Sequence, residues 1–208
     1  MAIALADALV VKFFGAEASD ADLAATIGRW QRRHAARFAD VHAHRGARSA
    51  DVYVYFELAT AAPWSTADRQ SLGAALVADA PKQDKGMVVD RLECVLDVPG
   101  ASIGARRVLH YVVETDAADG WLDELERWYN TEHMPGLAAV PGCIRARRFI
   151  NHDHGPHSYA CYDLARVGVT ESLPWLAVRA TPWSDRVRPQ FRNTRRTMFS
   201  ELEPPVST

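Results

Sequence analysis

The chain has 208 residues, enough for one large domain or two small ones, and its 48% hydrophobic and 24% charged residues are typical of a globular protein with a substantial core. A formal net charge of -2 gives no reason to expect nucleic acid or an anionic membrane as a partner. No run approaches the roughly 18 apolar residues of a membrane span, and the apolar start, without a basic region or cleavage site, predicts a strand and not a signal peptide. Three widely spaced cysteines predict a reduced, cytoplasmic protein.

The first half of the chain predicts the element order β-α-β-β-α-β. The apolar run at residues 6–15 has the β-branched and aromatic content of a buried strand. A helix is predicted at residues 18–41, because Ser19 can cap it and acidic residues precede basic ones along it. The remaining elements are strands at 41–47 and 49–59, a helix at 65–80 and a strand at 85–98.

The second half repeats this order, so the chain reads as a tandem pair. Its elements are a strand at 105–115, a helix at 119–133, strands at 142–151 and 157–165, a proline-broken helical region at 171–189 and a strand at 193–202. A turn-rich link at residues 98–104 separates the halves. The predicted domains are residues 1–100 and 104–203, followed by a disordered tail at 204–208.

Each half therefore has the ferredoxin-like arrangement, and the predicted fold class is α+β. Four antiparallel strands with both helices on one face leave the other face bare, and that face must be covered. The two sheets can cover each other within one chain and form a barrel with helices outside, or each half can pair with a second chain. In both arrangements, we expect a small-molecule cavity between the sheets.

The segment WYNTEHMPGLAAVPGCIRARRF, at residues 128–149, resembles the signature region of EthD-like proteins in the dimeric α+β barrel superfamily. The resemblance is best over residues 106–150. It implies a barrel of ferredoxin-like repeats, and relatives that include isomerases, cyclases, cofactor-free decarboxylases, monooxygenases and haem enzymes. It also implies that His133 is a general acid/base or a hydrogen-bonding partner of the substrate. The first half departs from the pattern, because His34 lies one residue nearer its tryptophan and no Pro-Gly follows.

His133 lies on the helical stripe Leu122, Glu126, Tyr129, His133. Pro135 disfavours helix at Met134, so we expect the helix to end there and the imidazole to project toward the cavity. The alternative is a histidine that only interacts with carbonyl groups at a helix end. Tyr129, one turn earlier, is a second catalytic candidate, and its neighbours Trp128 and Met134 are assigned to substrate binding.

Two strand residues complete the predicted site. His110 is either a satisfied core histidine or a catalytic partner of His133, because the flanking Val108 and Val112 make its face apolar. Strand alternation places Arg148 on a face with apolar residues, where it either clamps a substrate carboxylate or enolate or extends along an edge toward solvent.

Other polar segments carry weaker predictions. The loop HDHGPH at residues 152–157 lacks a second ligand set, so no metal site is predicted. No nucleotide-binding or nucleophile-elbow motif is present, and no cofactor is expected. The basic stretch RVRPQFRNTRR, at residues 186–196, either meets an anionic ligand or forms a solvated face.

The leading functional hypothesis is a cofactor-independent lyase or isomerase that moves a proton next to a carbonyl in a small aromatic or polyketide-like metabolite. The alternatives are a non-catalytic or stress-associated ligand-binding barrel and an oxygenase, with or without haem. The expected partners are a small-molecule substrate and a second copy of the chain in a homodimer, with no nucleic acid and no membrane.

Overall fold

The computed structural model describes residues 7–59, 65–79 and 86–202. The strands in these ranges are β1 (Ala8–Phe13), β2 (Phe38–Gly46), β3 (Val52–Leu58), β4 (Met87–Pro99), β5 (Leu109–Ala117), β6 (Cys143–Asn151), β7 (Ser158–Leu164) and β8 (Phe191–Glu201). The α-helices are α1 (Asp20–Arg33), α2 (Thr66–Asp79), α3 (Leu122–Trp128), α4 (Met134–Ala138), α5 (Leu173–Val178) and α6 (Pro182–Val187).

The strands form one sheet in the order β1-β3-β2-β8-β5-β7-β6-β4, and this sheet closes into a barrel. In the first repeat, β1 pairs antiparallel with both β3 and β4, and β2 pairs with β3. In the second repeat, β7 lies antiparallel between β5 and β6. These are the pairings of ferredoxin-like units. The predicted α+β fold with two ferredoxin-like repeats is confirmed.

The chain divides into two compact units, Met1–Glu93 with Ser200–Thr208, and Cys94–Phe199. The domain boundaries predicted from the sequence, residues 1–100 and 104–203, assign every strand to a single repeat. The compact units instead divide the long strands β4 and β8, each of which has residues in both units. The predicted disordered tail at 204–208 lies outside the described residues.

The first unit buries the apolar face of α1 on its strands. Ser19 caps the helix by accepting a hydrogen bond from the Asp22 N–H at 3.2 Å. Trp30 is completely buried between the rings of Phe13 and Phe56, with 6.1 Å between ring centroids in each pair. The helix ends at Arg33 and not at residue 41, because the chain from Phe38 onward pairs with β3.

The second unit has a core between one face of its strands and its helices. Trp128 and Trp175 are buried there with Tyr162 and Leu164 of β7. The helical region after β7 is broken as predicted, because prolines occupy the first turns of α5 and α6. Both helices have side-chain N-caps, Ser172 and Thr181.

Two further features bear on the predicted environment of the chain. Among the helices that the structure describes, none is both long enough and apolar enough to cross a membrane. The cysteines Cys94, Cys143 and Cys161 are all buried, and no disulfide joins any of them.

Candidate active site

A π-helical turn interrupts the long helix of the second unit. The chain passes from α3 into a π turn at Tyr129–His133 and then into α4, and the Met134 N–H donates to the Tyr129 carbonyl five residues earlier. The prediction that the helix ends at Met134 is therefore wrong. Pro135 lies in the first turn of α4, a position where a missing N–H is tolerated. Such turns are frequent at functional sites.

The π turn brings three aromatic rings together. In a regular α-helix, residues five apart point about 140° away from each other. Here the rings of Trp128 and His133 are stacked, with 4.1 Å between centroids and 23° between planes. The ring of Tyr129 meets His133 edge-on, with 5.7 Å between centroids. The wider turn therefore places the imidazole on the buried side of the helix.

These rings line a cavity between the helices and the sheet of the second unit. Its lining residues are Tyr111, Val113, Trp128, Tyr129, His133, Leu137, Tyr162, Trp175, Arg179, Arg188, Phe191 and Arg196. The cavity lies on the helix-covered face of the sheet, and not in the space between sheets that the sequence led us to expect. Its volume is about 30 Å³, room for one or two water molecules.

His133 is uncharged at physiological pH. Burial, together with the positive charges of Arg179 and Arg188, lowers its pKa from 6.5 to about 3. Because the helix continues from His133 into α4, the imidazole does not lie at a carbonyl end that would favour the imidazolium. The His133 Nδ1 and the Trp128 Nε1 are both buried without a hydrogen-bond partner within the described residues. Unpaired buried polar atoms are costly, so they mark a place where a ligand or water can bind.

Three tyrosines contribute hydroxyl groups that stay protonated. Burial raises the pKa of Tyr129, Tyr111 and Tyr162 above the ordinary value of 10.0. The Tyr162 hydroxyl donates to the Met134 Sδ at 2.8 Å. Met134 therefore holds Tyr162 in place and is not one of the residues lining the cavity.

Arg148 lies under the helix and does not reach the cavity. Its side chain is 1% exposed, and it donates to Glu126 Oε1 at 3.1 Å and to Asn130 Oδ1 at 3.2 Å. Its guanidinium also lies over the Tyr129 ring at 5.7 Å. In this structure, the contacts of Arg148 fix the helix that carries His133.

His110 lies on the opposite face of β5 from the cavity residues Tyr111 and Val113, because side chains alternate along a strand. Its Nδ1 is 2.8 Å from Asp163 Oδ1. Burial lowers the pKa of His110, although the hydrogen bond to Asp163 opposes this shift. The structure thus brings together His133, Tyr129 and Trp128, and leaves His110, Arg148 and Met134 outside the cavity lining.

Sequence reasoning missed the arginines of this site. Arg179 follows α5, Arg188 follows α6 and Arg196 lies on β8, so no single motif contains all three. The basic stretch at residues 186–196 was a signal for two of them. Strand alternation could have identified Tyr111 and Val113. Both lie on the cavity face of β5, and His110 lies on the opposite face.

A larger cavity of about 640 Å³ lies in the first unit, lined mainly by α1 and β2. None of its described lining residues has a buried polar side-chain atom without a partner. His34, the counterpart of His133, is half-buried at the end of a regular helix, with its ring against Phe38. We therefore take the smaller cavity of the second unit as the candidate active site.

Similarity to known proteins is confined to structure. The chain matches no protein-family model and no curated protein sequence. A monooxygenase-like protein of Fusobacterium nucleatum has a TM-score of 0.65 at 8% identity, over 96% of this chain and 94% of that one. An anthrone oxidase-like protein has a TM-score of 0.64 at 12% identity, over 95% and 92%. A monooxygenase-like protein of Lactobacillus acidophilus has a TM-score of 0.57 at 10% identity, over 95% of each chain.

The chain has the dimeric α+β barrel fold. Structural similarity at this level of sequence identity establishes the fold but not the reaction, because one fold supports many unrelated reactions. The chemistry must therefore be argued from the residues of the cavity.

A haem or metal has to be tested against those residues, since the resemblance found in the sequence implies relatives that include haem enzymes. The rings of Trp128, Tyr162 and Trp175 occupy the space beside His133, and about 30 Å³ is far below the volume of a macrocycle. The residues present therefore do not fit a haem. Within the described ranges, no group of three or more His, Cys, Asp or Glu side chains is placed to hold a metal ion.

Proposed function

We propose that the second repeat is a cofactor-independent enzyme that removes a proton from a ring carbon next to, or conjugated with, the carbonyl of a flat aromatic metabolite and lets the resulting enolate react with O2. One observation carries the proposal: a buried, neutral imidazole with an unpartnered Nδ1 lies among aromatic rings and beside arginines. The monooxygenase-like and anthrone oxidase-like structural neighbours favour oxygen chemistry over a lyase or isomerase.

Each part of the cavity has a role in this reaction. His133, as a neutral base, accepts the proton from carbon, and this requires its pKa to rise from about 3 toward the working pH when the substrate is bound. Tyr129 stays protonated and can donate a hydrogen bond to the carbonyl oxygen, where negative charge develops. The arginines stabilise the enolate electrostatically. A ring CH2 that lies next to the carbonyl, or is conjugated with it across the ring as in anthrone, then reacts with one O2 to give a new ketone and one water, so no external reductant is needed.

Substrate entry requires the cavity itself to enlarge, because its volume of about 30 Å³ is several times smaller than a flat aromatic ketone. The walls formed by Trp128, Tyr129 and Trp175 are buried and packed. Arg179 and Arg188 are only half-buried and Arg196 is exposed, so these long side chains can move aside at low cost. A flat ring would then lie against the aromatic walls.

We also propose that the second repeat belongs with EthD-like proteins within the superfamily. The segment that resembles their signature forms the π turn that carries His133. The homodimer and the cytoplasmic location stay predictions.

The test uses anthrone and a panel of related enolisable aromatic ketones without added cofactor. We expect O2 uptake above the buffer rate, with one 18O atom from 18O2 appearing in the new carbonyl. His133→Gln should lower the rate by about 10²-fold or more, the usual contribution of a general base. His34→Gln, the matching change in the first repeat, should leave the rate unchanged.

Three results would overturn this assignment. Conversion that is unaffected by removal of O2 would indicate the lyase or isomerase alternative. Binding of the ketones without conversion would indicate a non-catalytic barrel. Full activity in His133→Gln would remove the imidazole from the mechanism.

A further inference from the structure

Three arginines from three successive elements meet at the mouth of the cavity. Arg179 is the C-cap of α5, Arg188 follows α6, and Arg196 lies on β8. The Arg188 Nη1 donates to the Arg179 carbonyl at 3.2 Å, which ties two of them together. The Arg196 guanidinium lies 6.0 Å from the ring of Phe191, which also lines the cavity.

Within the described residues, no carboxylate forms a salt bridge with any of these three arginines. Glu171 acts on Tyr111, and Asp185 acts on Arg188, through the electrostatic effect of its charge. Burial and the charges of Arg179 and Arg196 lower the pKa of Arg188. Mutual repulsion between the cations is unfavourable, so an anion placed among the three arginines would be attracted by all of them.

Other arginines of the same unit have carboxylate partners. Arg145 donates to Asp97 Oδ1 at 2.8 Å, and Arg148 donates to Glu126 at 3.1 Å. The charges of these two arginines are thus neutralised by their partners. The arginine cluster at the cavity mouth is different, because its positive charge faces a cavity that already contains two unpartnered buried polar atoms, His133 Nδ1 and Trp128 Nε1.

We propose that this cavity, once opened, binds an aromatic metabolite that carries a carboxylate, with the ring among the aromatic side chains of the lining and the carboxylate held by Arg179, Arg188 and Arg196 at the mouth. Arginine suits this task because its planar guanidinium matches a carboxylate in geometry and charge. The inference rests on the proposed function for the choice of site and adds the substrate class. It requires binding and does not require turnover.

A bound carboxylate would also change the pKa of His133. The groups that face His133 are the rings of Trp128 and Tyr129 and the charges of Arg179 and Arg188, with Tyr111, Tyr162 and Arg196 elsewhere in the lining. A carboxylate between the arginines offsets part of their positive charge. The pKa of His133 is therefore higher in the complex than in the free protein, and substrate binding strengthens the base.

The experiment compares two probes of nearly equal shape, anthracene-9-carboxylate and the neutral anthracene-9-carboxamide, by titration of the tryptophan fluorescence of the full-length chain. We expect the carboxylate to bind at least tenfold more tightly than the amide at low salt, with the preference shrinking as ionic strength rises. Arg188→Gln and Arg179→Gln should each reduce the preference several-fold. Arg186→Gln is the matched control, because Arg186 is 63% exposed, pairs with Glu124 and does not line the cavity.

Thermal unfolding of each variant checks that it is folded before its affinity is interpreted. Equal affinity for both probes, no binding of either probe, or an unchanged preference in a folded Arg188→Gln variant would overturn the proposal. Turnover of neutral ketones without carboxylate preference would remove this inference and keep the proposed function. Selective carboxylate binding without conversion of any ketone would contradict the proposed function and support this inference.

Discussion

At the scale of single residues, the site depends on a histidine whose surroundings hold it neutral. His133 is 7% exposed and stacked on a completely buried tryptophan, so its environment disfavours the imidazolium. The sequence predicted His133, Tyr129 and Trp128 together, because they are close along one helix. It could not locate the arginines, since their approach depends on how three separate elements pack.

The pH dependence of stability follows from this histidine. Its pKa is 6.5 in the unfolded chain and about 3 in the folded protein. Between those values the unfolded chain binds a proton that the folded protein does not, so the free energy of unfolding falls as pH drops below about 6.5. At pH 5 this loss is about 2 kcal/mol for wild type and absent in His133→Gln.

Urea unfolding of both proteins at pH 7.5 and pH 5 measures this difference. His110, whose pKa is also lowered by burial, is present in both proteins, so its contribution cancels in the comparison. An equal loss of stability in wild type and His133→Gln would show that His133 is not held neutral by the fold.

At the scale of elements, the π turn determines which side chains reach the cavity. The sequence predicted a helix at residues 119–133 and a break at Pro135. The predicted helix covers α3 and the π turn up to His133. The continuation through Pro135 was missed, because a π turn depends on how α4 packs and not on local preference. Contacts of α4 with β6 and α5 supply that packing, and they hold the helix past the proline.

Gly136 tests the packing of α4 on α5. A Cβ at Gly136 would lie 2.9 Å from Val178 Cγ1 and 3.3 Å from Cγ2, too close for a rigid β-branched neighbour. We expect Gly136→Ala to lower the free energy of unfolding by about 1–3 kcal/mol, the usual cost of overpacking, and to lower the turnover of any substrate.

Gly73→Ala in α2 is the matched control. Its Cβ would meet nothing closer than Val89 Cγ2 at 3.9 Å, an ordinary contact. Alanine is the better helix former by about 1 kcal/mol, so this variant should be as stable as wild type or more so. Thermal and urea unfolding followed by circular dichroism compare the two, and a Gly136→Ala variant as stable as Gly73→Ala would contradict the close contact.

At the scale of the whole molecule, two repeats of one topology differ in the residues that line their cavities. The first repeat keeps a regular α1, a half-buried His34 and the larger cavity. The second has the π turn, the buried His133 and the arginine cluster. Cavity size alone would select the first repeat, whereas buried unpartnered polar atoms and charge select the second.

Hydrogen exchange distinguishes the two repeats. With anthracene-9-carboxylate bound, we expect slower exchange in the π turn, α4 and α5 of the second repeat, because the ligand stabilises the elements that line its cavity. Exchange in α1 should stay unchanged. Protection of α1 and β2 in place of the π turn would show that the ligand occupies the larger cavity of the first repeat.

The sequence by itself determined the topology, because hydrophobic periodicity and turn residues are local and each half shows the same order of strands and helices. It also determined which helix carries the imidazole, since helical spacing places Tyr129 and His133 on one stripe. Both predictions rest on residues that are neighbours along the chain.

Only the tertiary structure decided where the cavity lies and what surrounds His133. The imidazole faces the helix-covered side of the sheet because the π turn rotates it there, and His110 lies across the sheet from it. Arg179, Arg188 and Arg196 converge on the cavity from separate elements. Burial and charge at a site are sums over residues distant in sequence, so they exist only once the chain has folded.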